Sequence, residues 1–569
     1  IYGGTAPALV AAVRLAREGC KVTLVTPTEH LGGSLPSLGA VETHYRGNRA
    51  PLLQEFIDRV VGHYRASYGA DSAQLKDCLG GMMVTFEPHV AEEILRSWVA
   101  EEPLIHWVPG FRPIEVECDG RSVKAVRFLN DTTGRSLRVA AKAMVEGSYE
   151  GDLMALAGAV WRIGRESRQE FGEPRAGRVF TQWLAGGLHP RAAAEGRLNL
   201  VTSGSTTSEP QPGSTGEGDD NIQSYSYRIC LTDDPGNRRL LESPPPNYER
   251  ALYAPILLSP EEKEKLPLPF HHRLLIYSLR EMAERDHIFH GHALPNRKRS
   301  WNATNFTGAG KDYPDADAAT RRRVAQRHLE HALSLMWFLQ NDPEMPAGLR
   351  AKAREWGLAR DEFADNDNIP PQLYVREARR LVGRRIFTEH DALLVPGLER
   401  APVHADSIGI TEFSLDSLAC TTERLPGTLC DGQLFQMEVS RPGQVPFGVL
   451  LPRGIDNLLV VTTVSATHVG WGTVRQTPTL MHLAESAAWA IVLAVRASVA
   501  PANINLDQLQ RTLVEHGVMI TFFNDFDMSY REPWVPAVQY AGTKGEFTGY
   551  DARPTARADD CVRRYQVAL

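Results

Sequence analysis

The hydrophobic pattern of the chain changes period within its first thirty residues. Ile1 and Tyr2 are apolar, Gly3-Gly4-Thr5 is a tight turn, and Leu9, Val13 and Ala16 then recur at helical spacing. Lys21 to Thr26 (KVTLVT) follows as a second strand, giving β-α-β from the outset. Further on, Thr85 to Ala100 has a helical period with Pro88 near its start, where proline lacks no needed N–H. Leu104 to Pro109 reads as a strand. Ile114 to Phe128 reads as a hairpin turning at Asp119-Gly120, and Leu137 to Val145 as a third strand completing a β-meander. Helices are predicted over Pro269 to Arg285 and Thr320 to Gln340, the second with Val324, His328, Ala332, Leu335 and Leu339 on one stripe. Leu458 to Val464 is a continuous apolar run, as expected of a strand buried on both faces. Ser465 to Gln476 then reads as a polar turn, and Thr477 as the cap of a long helix with Pro478 at its first position. A shorter helix, LDQLQRTLVEHG, lies near the end.

These elements predict an α/β protein: a Rossmann-like sheet with a β-meander, plus an inserted, largely helical domain covering the substrate. The expected boundaries are 1–165 for the first part of the sheet domain, 166–404 for the cap, 405–500 for the return segment and 501–569 for a closing helix and tail. Phe522, Phe523, Phe526, Tyr530 and Trp534 are expected to dock that tail. Asn199 to Asn221 and Gly236 to Tyr253 are poor in apolar residues and predicted to be flexible surface loops.

Composition narrows the function classes. At 569 residues, 43% hydrophobic and 23% charged, the chain can build more than one core, and a net charge of -7 gives no basic footprint for nucleic acid. No apolar run reaches spanning length, so no membrane span is expected. The seven cysteines (20, 78, 118, 230, 420, 430 and 561) form no C-x-x-C pair and read as buried side chains of a reducing, cytoplasmic compartment, with a Cys420–Cys430 pairing left open. No metal site is expected. The chain begins inside its own first strand, so upstream sequence, where a signal peptide would lie, is expected. Asn302 opens an N-A-T glycosylation pattern that matters only in a secreted chain. Self-association is left open.

The glycine turn is an incomplete dinucleotide fingerprint. Of the three glycines of G-x-G-x-x-G only Gly3 is present, with Thr5 and Ala8 in the other places, and Thr26 stands where an acid would hold a ribose. Taken alone, it fits nucleotide binding and a plain helix–sheet turn equally well. In the insert, Lys298 to Asn305 and Tyr374 to Arg385 are the polar candidates. Arg376, Arg379, Arg380 and Arg384 fall on neighbouring helical positions, able to clamp a carboxylate or phosphate or to pair with acids such as Glu377 and Asp361. Glu150 and Asp152 are either a pair of working acids or charges complementing a helix dipole.

Several blocks together resemble a family of FAD-dependent oxidoreductases, glutathione-reductase-like and related to fumarate reductases. They are Gly3-Gly4-Thr5, His30-Leu31-Gly32-Gly33, Tyr149 to Ala155 (YEGDLMA), Gly164 to Ser167 (GRES), Gln223 to Thr232, Leu373 to Gly383 and Val445 to Val460. The resemblance implies FAD as cofactor, held by Gly3, Gly4, Thr5, Ala6, Thr26, Gly32, Gly33, Ser34, Glu150, Gly151, Asp152, Arg165, Thr479 and Leu480. It also implies that the helix opening at Thr477 points its free N–H groups at the pyrimidine end of the flavin, where negative charge develops. His468 is the expected proton acceptor, titrating near neutrality, with Arg475 and Arg376 beside it. The chain departs from the family pattern at Thr26 and at Leu415 to Cys420 (LDSLAC), which lacks a histidine common there. The expected reaction is hydride removal from a C–H bond of a small hydroxylated or carboxylated substrate, by a dehydrogenase or oxidase. The alternatives are a redox-silent FAD-binding protein, or a carbohydrate-active lyase or hydrolase using Glu150 and Asp152 as paired acids.

Overall fold

The computed structural model of the protein describes residues 1–45, 47–80, 83–184, 206–263, 279, 282, 288–396, 398, 400–436, 441–523, 528–529 and 532–546. A parallel sheet runs through its centre. Tyr2 bridges in parallel to Val25 on one side and to Glu146 on the other. Val22–Thr26 pairs outward with Ile105–Pro109, and Met144–Glu146 pairs outward with Leu458–Val460, both in parallel. The first stretch of chain therefore lies in the middle, and successive strands are added first on one side and then on the other. Such a reversal opens a crevice at the carboxyl end of the central strand, and here the helix Ala6–Arg17 starts directly after it.

That opening helix is apolar nearly all round, with Leu9, Val10, Ala12 and Val13 fully buried, because it packs against the helix Thr477–Ala497. The late helix is, among the described residues, the one long and apolar enough to cross a membrane. Every residue from Thr477 to Ala494 is nevertheless buried within the protein, which makes it a core helix.

The run Leu137 to Val145, expected as one strand, is two. Ser136–Ala140 completes the antiparallel meander after Arg112–Asp119 and Ser122–Leu129, whereas Met144–Glu146 belongs to the central sheet. The first piece alternates between exposed and half-buried residues and the second is wholly buried. One strand cannot serve a half-solvated sheet and a fully covered one at once.

The insert differs more. Its described part is built on a five-stranded antiparallel sheet, in the order Gly291–Leu294, Lys298–Trp301, Ile229–Thr232, Gly357–Ala359 and Arg238–Arg239. The helix Ala318–Asn341, close to its predicted span, shares an apolar cluster with that sheet through Leu335, Phe338, Ile229 and Trp301. The sheet was illegible because its strands run two to four residues and Ile229–Thr232 is buried throughout, which leaves no alternation to see. The helix expected over Pro269 to Arg285 falls, apart from residues 279 and 282, outside the described residues, as do Phe526 and Tyr530 of the expected docking set. Phe522 and Phe523 are buried with Tyr45, Ile410 and Val535, and Trp534 packs against that cluster.

Three loop or helix expectations are corrected. Thr206 and Thr207, expected on a surface loop, are buried, and the Thr207 N–H donates to the Phe435 carbonyl at 2.7 Å. Ser465 to Gln476 holds a buried helix, His468–Val474, capped by Thr467, whose hydroxyl accepts from Gly470 N, and Gln476 rather than Thr477 occupies the cap of the next helix. Tyr374 to Arg385 is not helical: it is an extended strap whose Arg380–Leu381 pairs with Trp161–Arg162. Four arginines on one buried helical face would have no room for separate counter-charges, whereas an extended strap turns successive side chains to different neighbours.

Candidate functional site

Backbone rather than side chains shapes the opening turn. Gly3 has φ +121°, and a Cβ there would lie 2.2 Å from the Gly147 carbonyl oxygen; Gly147 in turn faces Ala8. Only glycines allow the two chain crossings to come this close. Thr5 caps the opening helix, its hydroxyl accepting from Ala8 N at 3.3 Å and donating to Gly147 O at 2.7 Å. Gly4 O accepts from Gly32 N at 2.7 Å and Gly32 O from Ala6 N at 3.3 Å, so the turn and the Gly32-Gly33-Ser34 loop are tied together. Ser34 Oγ lies 2.9 Å from Tyr149 Oη, and the same phenol packs under Gly33.

Other predicted cofactor residues are committed elsewhere. Thr26 donates to Thr28 O at 2.6 Å and accepts from Trp107 Nε1 at 3.0 Å, so its hydroxyl closes its own strand. Arg165, buried, is held by Asp219 at 2.9 Å and Asp431 at 2.8 Å in an interior ion cluster. Gly151, with φ +69°, caps the short helix Asp152–Leu156. Asp152 is clamped by Arg321 at 2.6 Å and Arg379 at 2.7 Å, which overcome burial and hold its pKa down. Glu150 is pushed the other way by burial and accepts from Tyr313 Oη at 2.9 Å. Two acids so unequal and so engaged do not form the working pair a hydrolase needs.

The carboxylate at the end of the central sheet is Glu146, which the sequence reading missed. It is fully buried and accepts from Ser148 N at 2.8 Å, Leu153 N at 2.7 Å and Met154 N at 3.2 Å, while burial pushes its pKa up to about 7. An acid closing a buried strand just before Gly147-Ser148 was the available signal.

Next to this corner a pocket gathers residues from separate stretches of the chain: Ser34, Tyr149, the strap with Arg376 and Glu377, and the run that carries Arg475, Thr477 and Leu480. The helix start forms one wall. Gln476 caps that helix without a side-chain hydrogen bond, and Thr479 Oγ1, fully buried, has no hydrogen-bond partner. A cleft that runs from Ser34, at the end of the glycine loop, to an open helix N-terminus at Thr477 suits a nucleotide cofactor carrying a polar ring.

The profile of the FAD dependent oxidoreductase family matches residues 1–513. The chain belongs to that family. Its cofactor is FAD, and the residues expected to hold it are the Gly3-Gly4-Thr5 turn, the Gly32–Ser34 loop and the start of the helix at Thr477. No curated protein matches the chain. Among solved structures, the flavin-dependent monooxygenase PieE is 18% identical over 32% of this chain and 34% of that one, with a TM-score of 0.20. FrdA of E. coli quinol fumarate reductase is 17% identical over 34% of this chain and 42% of that one (TM-score 0.19), and the myxobacterial chondrochloren halogenase CndH 15% over 33% and 43% (TM-score 0.21). The chain thus covers less than half of each of these structures, and likenesses at that level carry no argument about the reaction.

In this FAD-dependent oxidoreductase the catalytic candidates do come together. Arg376 Nε donates to Gln223 Oε1 at 2.6 Å, and Arg376 and Arg475 share Asp416 Oδ2 at 2.6 and 2.8 Å. The strap's arginines are otherwise paired: Arg379 with Asp152 and Asp315, Arg384 with Asp456, and Arg380 with Glu166 and Glu377. Asp361 pairs instead with Lys298, whose ammonium also sits 2.7 Å from Glu87 and 2.6 Å from Glu362. His89 adjoins the same carboxylates in a group spaced like metal ligands, but the buried lysine already supplies the cation there.

His468 is corrected in its chemistry. Its Nδ1 lies 3.0 Å from Glu377, and its Nε2 lies 3.1 Å from Ser417 Oγ and 3.9 Å from Cys420 Sγ. Burial alone would lower its pKa, but the Glu377 carboxylate and the Cys420 sulfur outweigh burial and push it up to about 10. At neutral pH the ring is an imidazolium. It holds a proton rather than accepting one.

Proposed function

We propose that this protein removes a hydride from a C–H bond of a small hydroxylated or carboxylated substrate, bound between the strap and the helix start at Thr477, the proton lost with it going to solvent. Bound FAD supplies the two-electron acceptor. The observation that carries the reading is that Arg376 and Arg475 line the same cleft as Thr477 and Leu480, so a substrate seated on the guanidinium groups lies at the open end of the helix. Around it the chain fixes charge. The N–H groups of the helix start stabilise negative charge, and the His468 imidazolium, anchored by Glu377, keeps Ser417 oriented. Trp471 Nε1 donates to Arg376 O at 2.9 Å and pins the strap in place. Buried, partnered groups of this kind pre-organise a site and keep water out.

The test is anaerobic bleaching of the flavin absorbance of the holoenzyme by a panel of small hydroxy acids, alcohols and amines, with rates followed near 450 nm. Bleaching by at least one of them at a saturable rate is expected. A flavin reduced only by a reduced nicotinamide, and by no member of the panel, overturns hydride removal from substrate. A flavin that nothing reduces returns the reading to a redox-silent cofactor.

A further inference from the structure

A second cavity, of about 220 Å³, shares no lining residue with the cleft that holds Arg376 and Arg475. Its walls are aliphatic. Leu53 and Ile57 come from the helix Pro51–Tyr68 and Leu79 from the helix Ala73–Gly80. Val41 and Val84 complete them, joined by Val41 N donating to Val84 O at 2.9 Å. Leu79 is 47% exposed, which puts part of the wall at the surface. An apolar cavity of about 150 Å³ already admits benzene, so this one has room for a body of that size with a head group.

The polar end of the cavity is Arg49. It is 1% exposed, and its Nε, Nη1 and Nη2 make no hydrogen bond. Its charge, by contrast, is matched. Glu412 Oε1 lies 3.0 Å from Nη1 and accepts from the hydroxyl of Thr43, which also lines the cavity. His482, which feels the Arg49 charge, is kept neutral, burial lowering its pKa to about 3. Among the described lining residues Arg49 is the only charged one. Buried donors are costly to leave unmade. A ligand carboxylate would meet that need only by sharing one buried guanidinium with Glu412, anion beside anion. What fits is an acceptor without a charge.

We propose that this cavity binds a small uncharged carbonyl compound, an apolar body whose amide, ester or ketone oxygen accepts from Arg49. The site is separate from the cleft, and the inference does not rest on the hydride-removal reading.

The experiment adds benzamide, benzoate or toluene to the FAD-loaded protein with isotope-labelled methionine methyl groups. The reporter is Met83, which lines the cavity, its NMR signal assigned by its loss in M83L. Benzamide is expected to shift that signal saturably. Benzoate should bind at least about tenfold more weakly, through the second buried anion, and toluene at least about threefold more weakly, through the lost hydrogen bond. In I57W, which fills the cavity and leaves Arg49 and Glu412 in place, the benzamide shift should vanish with flavin content unchanged. No shift at Met83 with benzamide would mean a cavity that holds water alone. Benzoate binding as tightly as benzamide would make it an anion site, and toluene binding as tightly would make it an apolar void. Each of these results overturns the proposal, as does a benzamide shift that survives in folded I57W. The three native titrations need no variant, so a misfolded I57W does not protect it.

Discussion

Around Gly3 the protein approaches itself through bare backbone, with a glycine on each of the crossing chains and a threonine hydroxyl stitching them together. Around Asp416 and Glu377 it does the opposite, burying arginines, a histidine and carboxylates from widely separated stretches, each held by another. The first region tolerates no added atom and the second no unmatched charge. On the proposed function the difference follows from what each would hold: a cofactor recognised by main-chain N–H groups needs closeness, whereas a small polar substrate needs fixed charges.

The sharpest way to break the first region is Gly3→Ala. The methyl would lie 2.2 Å from Gly147 O at a φ of +121°, so strain and overpacking add, together costing about 3–6 kcal/mol. Flavin-to-protein absorbance ratio and thermal unfolding should both collapse. A variant that keeps its flavin and its melting temperature would mean that the crossing can open cheaply.

The matching break in the second region is Glu377→Gln. It strips the carboxylate from between His468 at 3.0 Å and Arg380 at 3.1 Å, leaving buried cations short of a partner at a cost of about 3–5 kcal/mol. Denaturant unfolding reads the loss, and titration of the His468 ring by NMR should show its pKa falling. A stable variant whose histidine still titrates high would assign that proton to Cys420 instead.

The two regions also differ in how far the sequence disclosed them. The turn was legible because a glycine forced into left-handed backbone is visible as a glycine, and the strand–turn–helix around Gly3 allowed little else. The pocket was legible only as a set of names. Arg376, Arg475 and His468 could be picked out, but their partners Gln223, Asp416 and Glu377 lie 153, 59 and 91 residues away along the chain, and no local pattern reports such a pairing. The strap was misread for the same reason, since arginines at helical spacing look alike whether they share a face or turn apart. The pKa of His468 was beyond the reach of the sequence, because it is raised by Glu377 and by Cys420, neither of them adjacent to it in sequence.

A third, smaller effect lies between the regions. Glu173, fully buried, accepts from Thr467 Oγ1 and Glu389 N at 2.7 Å each, and burial pushes its pKa from 4.5 up to about 8. A carboxyl raised in the folded state contributes stability that is complete below pH 4.5 and is lost as pH rises through about 8. The His468 contribution has the same sign, complete below about 6.5 and lost through about 10. Stability should therefore decline toward alkaline pH, and Glu173→Gln, which mimics the neutral acid, should flatten the lower part of that decline by on the order of 1–3 kcal/mol between pH 5 and 9. Parallel stability curves for the two proteins would remove Glu173 from the account.

The smallest change is also the one that separates cofactor from scaffold. Thr479 Oγ1 is buried and unpartnered at the start of the late helix, so in the cofactor-free protein the hydroxyl contributes desolvation and no bond. Replacing it by a methyl in Thr479→Val keeps the shape and removes an unsatisfied polar atom, which is neutral or stabilising by about 0.5 kcal/mol or less. If the hydroxyl bonds to the flavin, the same substitution weakens FAD binding by about 0.5–1.5 kcal/mol, a few-fold to about tenfold in Kd. The two measurements then move in opposite directions: the melting temperature of the apoprotein holds or rises while FAD affinity falls. Scaffold defects lower both together. A variant that binds FAD as tightly as the native protein would show that Thr479 meets the cofactor through its backbone N–H alone, and the helix dipole would then act at that wall without help from a side chain.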